Sequence, residues 1–258
     1  MENSQLQHHL ISDIHVMVWR LLRHITRSMD TIITVCIMPI AMMLLFVYVF
    51  GGAIKTQTSN YVNDMLPGIL LITISSGISY TAMRLYADVK SGMFDRFRTL
   101  PIAPSSVLWG HVLTSVIANL ISVAIVILVA LILGFRSSAG IFAWLGVTGI
   151  LVLVILALTW VAIIPGLTAK TADGATVFSY PLIFLPFISS AFVPTDTMPG
   201  PVRFFAEHQP STAIVNTIRA LLEQQTVKNE IWIAMAWCLG IMITAYLFAT
   251  RIYKKHTI

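Results

Sequence analysis

The chain has 258 residues, of which 57% are hydrophobic and 10% are charged, and its formal net charge is +5. Soluble domains carry about 25% charged residues, so this composition excludes an ordinary soluble protein and indicates an all-α integral membrane protein. The basic surplus does not predict a nucleic-acid partner, because in a membrane protein the position of basic residues mainly sets orientation. Cys36 and Cys238 both lie in apolar runs, which predicts neither a disulfide nor a metal site.

Residues 6–27 predict an amphipathic helix at the start of the chain. Leu10, Met17 and Leu21 belong to its apolar face, while arginines such as Arg20 and Arg27 occupy other faces. Charges interrupt the apolar face too often for this helix to cross a bilayer. We therefore expect it to lie in the plane of the inner leaflet, and packing against a soluble partner is the alternative.

Six apolar segments fit the roughly 20 helical residues that cross a hydrocarbon core of about 30 Å. The fifth is short and contains Pro181 and Pro186, so we expect a broken span there. Residues 193–222 follow it as short amphipathic pieces, which predict an outer re-entrant hairpin before the last span. The predicted spans are 29–50, 66–85, 107–133, 141–164, 177–192 and 231–250.

A charged segment, residues 84–104, separates the second and third predicted spans. Its apolar residues, among them Leu85 and Phe97, recur at helical spacing, and charged residues take the other positions. Pro101 predicts the end of such a helix. An ordinary solvated loop between spans would give the same pattern.

The distribution of basic residues predicts that both termini are cytoplasmic, because basic residues concentrate on the inner side. This orientation places eleven lysines and arginines inside and five outside, and residues 84–104 then lie in the cytoplasm. The inner set is Arg20, Arg23, Arg27, Arg84, Lys90, Arg96, Arg98, Lys170, Arg251, Lys254 and Lys255; the outer set is Lys55, Arg136, Arg203, Arg219 and Lys228.

The sequence offers little chemistry for an enzyme. It has no phosphate-binding loop of the form G-x-x-x-x-G-K-[ST], so any nucleotide energy must come from a partner. The carboxylates lie in loops and at helix ends, which disfavours a carrier driven by protons or sodium. His111 and Asn119 lie eight residues apart on the third span, where helix packing is the favoured interpretation.

Two long stretches resemble a known family. DVKSGMFDRFRTLPIAPSSVLWGHVL at 88–113 and PLIFLPFISSAFVPTDTMPGPVRFFAEHQPSTAIVNTIRALL at 181–222 are similar to the ABC type-2 permeases, particularly their daunorubicin-resistance-like drug-export branch. The likeness covers nearly the whole chain. It departs at GLTAKTADGAT, residues 166–176, so no functional residue is carried over there.

The resemblance implies a multi-pass permease of a bacterial plasma membrane that exports amphipathic drugs or similar hydrophobic compounds. Such a permease pairs with a separate cytoplasmic ATP-binding-cassette ATPase and with a second permease subunit, identical or paralogous. This chain would bind no cofactor, and ATP and magnesium would sit on the ATPase. Export of a lipid or a cell-wall or polysaccharide precursor is an alternative within the family, and a membrane enzyme or scaffold is an alternative outside it.

The charged segment, combined with the resemblance, predicts a coupling helix that docks into the ATPase. Aromatic residues and arginine are favoured at the centres of interfaces, so the aromatic side chains would anchor the helix and the charged ones would set its register. The predicted coupling residues are Gly92, Phe94, Asp95, Arg96, Phe97, Arg98 and Leu100.

We also expect a substrate path between facing subunits, lined by the first, second and fifth spans. Its predicted residues are Phe46, Tyr48, Ser76, Tyr80, Phe184 and Phe187, although aromatic residues in spans often serve packing instead. The outer hairpin is predicted to close this path where Phe205, Ile214 and Ile218 meet their counterparts in the second subunit. A static cap over the short fifth span is the alternative.

Overall fold

A computed structural model describes residues 16–19, 21, 29–50, 61–93, 104–226 and 229–257. Within these ranges the regular elements are all helical. The long helices are α1 (Met29–Leu45, continued by a π-helical turn, Phe46–Phe50), α2 (Tyr61–Lys90), α3 (Pro104–Ile132), α4 (Ile141–Thr168) and α9 (Glu230–Thr257). The shorter ones are α5 (Ala172–Thr176), α6 (Ser179–Phe184, continued by a 3-10 turn, Leu185–Ile188), a 3-10 turn at Thr195–Thr197, α7 (Gly200–His208) and α8 (Pro210–Leu222).

Four of the described helices, α2, α3, α4 and α9, are long and apolar enough to cross a membrane. Two shorter apolar stretches, Val35–Val49 and Ala172–Ile188, coincide with the predicted first and fifth spans. The expectation of an all-helical membrane fold is therefore confirmed at this level. The six-span arrangement, with its interfacial helix and re-entrant hairpin, stays a prediction.

Several helices extend beyond the predicted spans. Helix α2 runs from Tyr61 to Lys90 rather than over 66–85, because its end turns are polar but still helical. The spans were predicted from apolar runs long enough to cross the bilayer, so the prediction includes only the part of each helix that would lie in the hydrocarbon core. Similarly, α4 continues through Pro165 to Thr168, and α3 starts with Pro104, whose fixed φ suits a first helical position.

Helix α2 lies at the centre of the fold. It packs against α1, α3, α4, α5, α6 and α8, while α9 packs on α4 and α8. The end of the bundle that holds Lys90 is called the inner end and the opposite one the outer end, after the predicted orientation. At the inner end, α2 and α4 approach closely at Gly166, where an added Cβ would lie 2.9 Å from Leu85 Cδ2 and 3.1 Å from the Ala82 carbonyl oxygen. Small residues permit such close helix contacts in membrane proteins.

Buried hydroxyls and one amide join α2, α3 and α4 in the middle of the bundle. Thr81 Oγ1 donates to Ser115 Oγ at 2.9 Å, and Ser115 Oγ lies 3.0 Å from Thr159 Oγ1. Asn119 Nδ2 donates to the Ser115 carbonyl at 2.9 Å, and its Oδ1 lies against Gly77, where a Cβ would overlap it. Asn119 therefore has the helix-packing role that its isolated position predicted.

The described part of the N-terminal segment packs on α3. Residues 16–19 are helical, with Met17 and Leu21 buried and with Val16 and Trp19 each 60% exposed. A Cβ at Gly110 of α3 would lie 2.8 Å from Met17 Cβ. One apolar side of this segment thus contacts the bundle near the start of α3, while the rest of the predicted helix 6–27 lies outside the described residues.

Candidate functional site

A turn at Ser91 and Gly92 follows the last residue of helix α2. The Ser91 N–H donates to the Ala87 carbonyl at 2.9 Å, and the Gly92 N–H donates to the Val89 carbonyl at 3.2 Å. Gly92 then takes a φ of +68°, a conformation that glycine adopts easily and that commonly ends helices. Of the predicted coupling residues, Gly92 is thus placed at the end of α2. Phe94, Asp95, Arg96, Phe97, Arg98 and Leu100 lie outside the described residues.

A histidine–carboxylate contact, ionic when His111 is protonated, joins the two helices that flank the predicted coupling segment. His111 Nε2 on α3 lies 3.3 Å from Asp88 Oδ2 on α2, and the two side chains are 4% and 18% exposed. Sequence reasoning placed Asp88 on a charged helix face and His111 among packing residues. The pairing was missed because 23 positions separate the two residues and no motif links them; only adjacent antiparallel helix ends could have suggested it.

Phenylalanines from the predicted first and fifth spans form an aromatic cluster. Phe46 stacks on Phe192 with ring centroids 4.7 Å apart, and Phe187 stacks on Phe192 at 5.1 Å. Phe184 lies 6.2 Å from Phe187 in a tilted arrangement and is 62% exposed. The structure therefore brings together Phe46, Phe184 and Phe187, three of the predicted path residues, around Phe192, which was not predicted.

The other predicted path residues lie elsewhere. Tyr48 is 75% exposed on the π-helical turn. Ser76 and Tyr80 are half-buried, one turn apart on the inner half of α2. The aromatic cluster instead contacts the outer half of α2, because Phe192 Cζ would lie 3.2 Å from a Cβ at Gly68.

The predicted outer hairpin, residues 193–222, contains α7 and α8, and these two helices differ in burial. Phe205 on α7 is 49% exposed, whereas Ile214 and Ile218 on α8 are 6% and 0% exposed in the core of this chain. The apolar periodicity of α8 predicted one buried face correctly, but α2, α4 and α9 cover that face here. Of the three predicted gate residues, Phe205 therefore remains accessible to a second subunit.

A network of charged and polar groups ties α8 to its neighbours at the outer end. Arg219 Nη2 donates to the Asp64 carbonyl at 2.7 Å and to the Ser190 carbonyl at 2.9 Å, and Nε lies 3.8 Å from Asp64 Oδ1. Asn216 Nδ2 donates to Glu230 Oε1 at 3.0 Å, and Ser190 Oγ donates to Asn216 Oδ1 at 2.6 Å. This cluster, called the Arg219 network below, links α2, α8, α9 and the segment after α6.

Burial shapes the electrostatics of the Arg219 network. Burial lowers the pKa of Arg219, while Asp64, Glu223 and Glu230 favour its charged form. Burial raises the pKa of Glu223, and the negative charge of Asp64 raises it further against the opposing effect of Arg219. Sequence reasoning placed Arg219 simply outside the membrane. An arginine one residue after the buried Ile218 was the available signal that it lies near the core.

Comparison with known proteins identifies the family. The ABC-2 type transporter family matches residues 12–222. The chain belongs to this family. A daunorubicin resistance ABC transporter permease protein of Streptomyces coeruleorubidus is 26% identical over 242 residues, 92% of this chain and 84% of that protein. A probable doxorubicin resistance ABC transporter permease protein of Mycobacterium tuberculosis is 26% identical over 87% of this chain and 82% of its own length. A putative transport permease of Cyanophora paradoxa is 27% identical over 82% and 74%.

The ABC-2 family match extends from the N-terminal segment through α8, so it includes the Asp88–His111 pair, the aromatic cluster and most of the Arg219 network. A permease subunit of an ABC transporter is not itself the ATPase. In the ranges described above, no group of three or more His, Cys, Asp or Glu side chains could hold a metal ion.

Proposed function

We propose that this chain is the permease subunit of an ATP-binding-cassette exporter that moves amphipathic drugs or similar hydrophobic compounds out of the cell. The family match over residues 12–222 carries the proposal, and the names of the bacterial relatives, which refer to daunorubicin and doxorubicin resistance, support the substrate class. A separate cytoplasmic ATPase would bind ATP and magnesium. A second permease subunit would complete the path across the plasma membrane.

The inner end of the bundle suits coupling to an ATPase. The segment that would dock, 92–100, joins α2 to α3, and the Asp88–His111 ion pair connects those two helices beside it. A displacement of the segment would therefore reach both helices together rather than one of them. Phe94, Phe97 and Leu100 remain the proposed anchors, with Asp95, Arg96 and Arg98 setting the register.

The aromatic cluster suits contact with hydrophobic cargo. Phe184 is largely exposed, Phe187 continues from it toward the buried Phe192, and Phe46 also stacks on Phe192. Aromatic faces bury large apolar areas without demanding a specific hydrogen-bonding partner. We propose that this cluster lies beside the path, with Tyr48, Ser76 and Tyr80 lining other parts of it, while packing between the two spans is the alternative role.

At the outer end, we restrict the proposed gate to helix α7. The Arg219 network holds α8, whereas α7 exposes Phe204 at 67% and Phe205 at 49%. We propose that α7 closes the outer end of the path against the second subunit, where Ile214 and Ile218 support it from within the core.

Export can be tested with the permease and its ATPase in inside-out vesicles. The panel of test compounds contains doxorubicin and NBD-labelled phospholipids, and the expected result is ATP-driven accumulation of at least one of them, absent when the ATPase carries an inactivating substitution of its phosphate-loop lysine. Binding of the ATPase without ATP-dependent movement of any amphiphile would contradict the proposed function. Lipid or cell-wall precursor export is the second candidate, and the polar row on α2 considered next favours it.

A further inference from the structure

Ser76, Tyr80 and Arg84 form a row on one face of α2, at intervals of four residues, called the polar row here. All three side chains are half-buried. In the part of the chain that the structure describes, none of the three makes a hydrogen bond or ion pair. Neighbouring faces of the same helix differ, because Ser75 Oγ donates to the Leu182 carbonyl at 3.3 Å and Thr81 Oγ1 donates to Ser115 Oγ at 2.9 Å.

Arg84 lies within a helix that is long and apolar enough to span. It lies at the inner edge of the predicted span 66–85, six residues and about 9 Å before Lys90 at the end of α2. The nearest carboxylate along the helix, Asp88, lies 3.3 Å from His111 Nε2, and among the described residues no ion pair joins Asp88 to Arg84. Arg84 therefore retains donors for another acceptor.

A guanidinium group and two hydroxyls without acceptors are costly against acyl chains, since hydrocarbon offers no hydrogen bonds. Charged residues in spans therefore usually face a polar cavity, a partner or a substrate pathway. Arg84, at the charged end of the polar row, has only hydrogen-bond donors. Its planar guanidinium can donate bidentate hydrogen bonds to a carboxylate or a phosphate. Its chemistry fits an anion with a hydrophobic tail.

We propose that Arg84 binds the anionic head group of the transported amphiphile where it enters from the inner leaflet, with Tyr80 and Ser76 offering hydroxyl contacts further along the path. The substrate class is thus an amphiphile that carries a phosphate or carboxylate. This inference rests on the proposed export function and narrows its cargo. It disfavours a cationic head group at this site, because Arg84 repels positive charge.

Direct binding separates this inference from export. The full permease, in complex with its ATPase, is placed in nanodiscs of phosphatidylcholine alone, and the binding of three fluorescent lipids is titrated. The probes are NBD-labelled lysophosphatidic acid, the matching neutral monoacylglycerol and a matching alkyl trimethylammonium compound. The variants are Arg84→Gln, Arg84→Lys and the control Arg251→Gln, which alters an exposed arginine on the cytoplasmic half of α9.

We expect Arg84→Gln to weaken binding of the phosphate probe about tenfold and to leave the monoacylglycerol unchanged, with Arg84→Lys intermediate. Arg251→Gln should have no effect on any probe. Equal losses of binding for all three probes would show that Arg84 has a structural role. Unchanged binding of the phosphate probe would show that Arg84 has no role in recognition. Either result overturns the proposal. Inorganic phosphate should not compete at millimolar concentration, because the tail provides much of the affinity.

A resident lipid is the remaining alternative source of the anion. If Arg84→Gln lowers only the thermal stability gained from added phosphatidylglycerol, and phosphate-probe selectivity is unchanged, Arg84 anchors a membrane lipid and the proposal is overturned. ATP-driven transport of the same probes provides the separate test of export. Selective binding of the phosphate probe without transport would support the proposed site and contradict the proposed export function. Transport without charge selectivity would support export and contradict the proposed site.

Discussion

The two ends of the bundle differ in how their helices are tied together. At the outer end, Arg219 bonds to two carbonyls from different segments, and Asn63 exchanges two hydrogen bonds with the Arg136 backbone at 2.8 and 3.2 Å. Ser137 Oγ also donates to the Leu222 carbonyl at 2.8 Å. At the inner end, the described links include one ion pair, Asp88–His111, and the bond from Tyr86 to the Lys170 carbonyl.

This difference suggests that the two ends of the bundle have different mechanical roles. Several polar bonds across different elements hold the outer ends of α2, α8 and α9 as one unit, so motion there requires many bonds to break together. At the inner end, the described contact between Asp88 and His111 joins α2 to α3, so a partner that docks between these helices would move them together. Outer rigidity and inner responsiveness are the central claim of this account, and the following changes test it.

The largest expected effect follows the loss of Arg219. Arg219→Ala should reduce the free energy of unfolding by about 3 kcal/mol, because removing one partner of a largely buried ion pair leaves Asp64 and its neighbours uncompensated. Thermal unfolding in nanodiscs measures the change. Arg203→Ala is the matched control on α7, where the side chain is 46% exposed beside Asp196 and Glu207, and it should lower stability far less, because exposed ion pairs contribute little. Equal effects would contradict an anchoring role for α8.

The second effect concerns the contact between the N-terminal segment and α3. Gly110→Ala places a methyl group 2.8 Å from Met17 Cβ, so the segment must shift, with an expected cost of about 1–2 kcal/mol. Gly149→Ala, within α4, meets no atom within 4 Å and should leave stability unchanged or slightly higher. Scanning calorimetry of both variants decides this, and a neutral Gly110→Ala would show that the segment is loosely held.

Sequence reasoning predicted the apolar helices well because bilayer thickness sets their length, and the proline-rich segment after 177 is indeed short and broken. It could not predict which faces meet. Ile214 and Ile218 had the right periodicity for a buried face, but a pattern within one helix does not say whether its own chain or a second subunit covers it. Arg219 and His111 find partners 155 and 23 residues away, and no local spacing encodes such pairs.

A smaller effect on stability, but a larger one on coupling, is expected at the Asp88–His111 pair. His111→Gln keeps a polar side chain and removes the ion pair, so the free energy of unfolding should fall by about 1 kcal/mol. Drug-stimulated ATP hydrolysis by the complex should fall several-fold, because α2 and α3 no longer move together. His208→Gln, on the exposed α7, is the control. Full stimulation in His111→Gln would mean that the pair serves stability alone.

The smallest effect concerns pH at the outer end. Burial raises the pKa of Glu223, so the folded state binds a proton more readily than the unfolded state. The contribution of Glu223 to stability is therefore full below its unfolded pKa and is lost as pH rises through the folded pKa. Glu223→Gln should unfold at a slightly higher temperature than the native chain at pH 7, and the difference should disappear near pH 4. A lower unfolding temperature at pH 7 would show that the ionised carboxylate is favourable.

Hydrogen exchange of the permease bound to its ATPase tests the central claim most directly. Backbone amide exchange is compared by mass spectrometry between the nucleotide-free complex and the complex trapped with ATP and vanadate. The account predicts altered exchange across residues 88–113, at the inner ends of α2 and α3, and unchanged exchange in α8 at 210–222. Altered exchange in α8 with an unchanged inner end would contradict it.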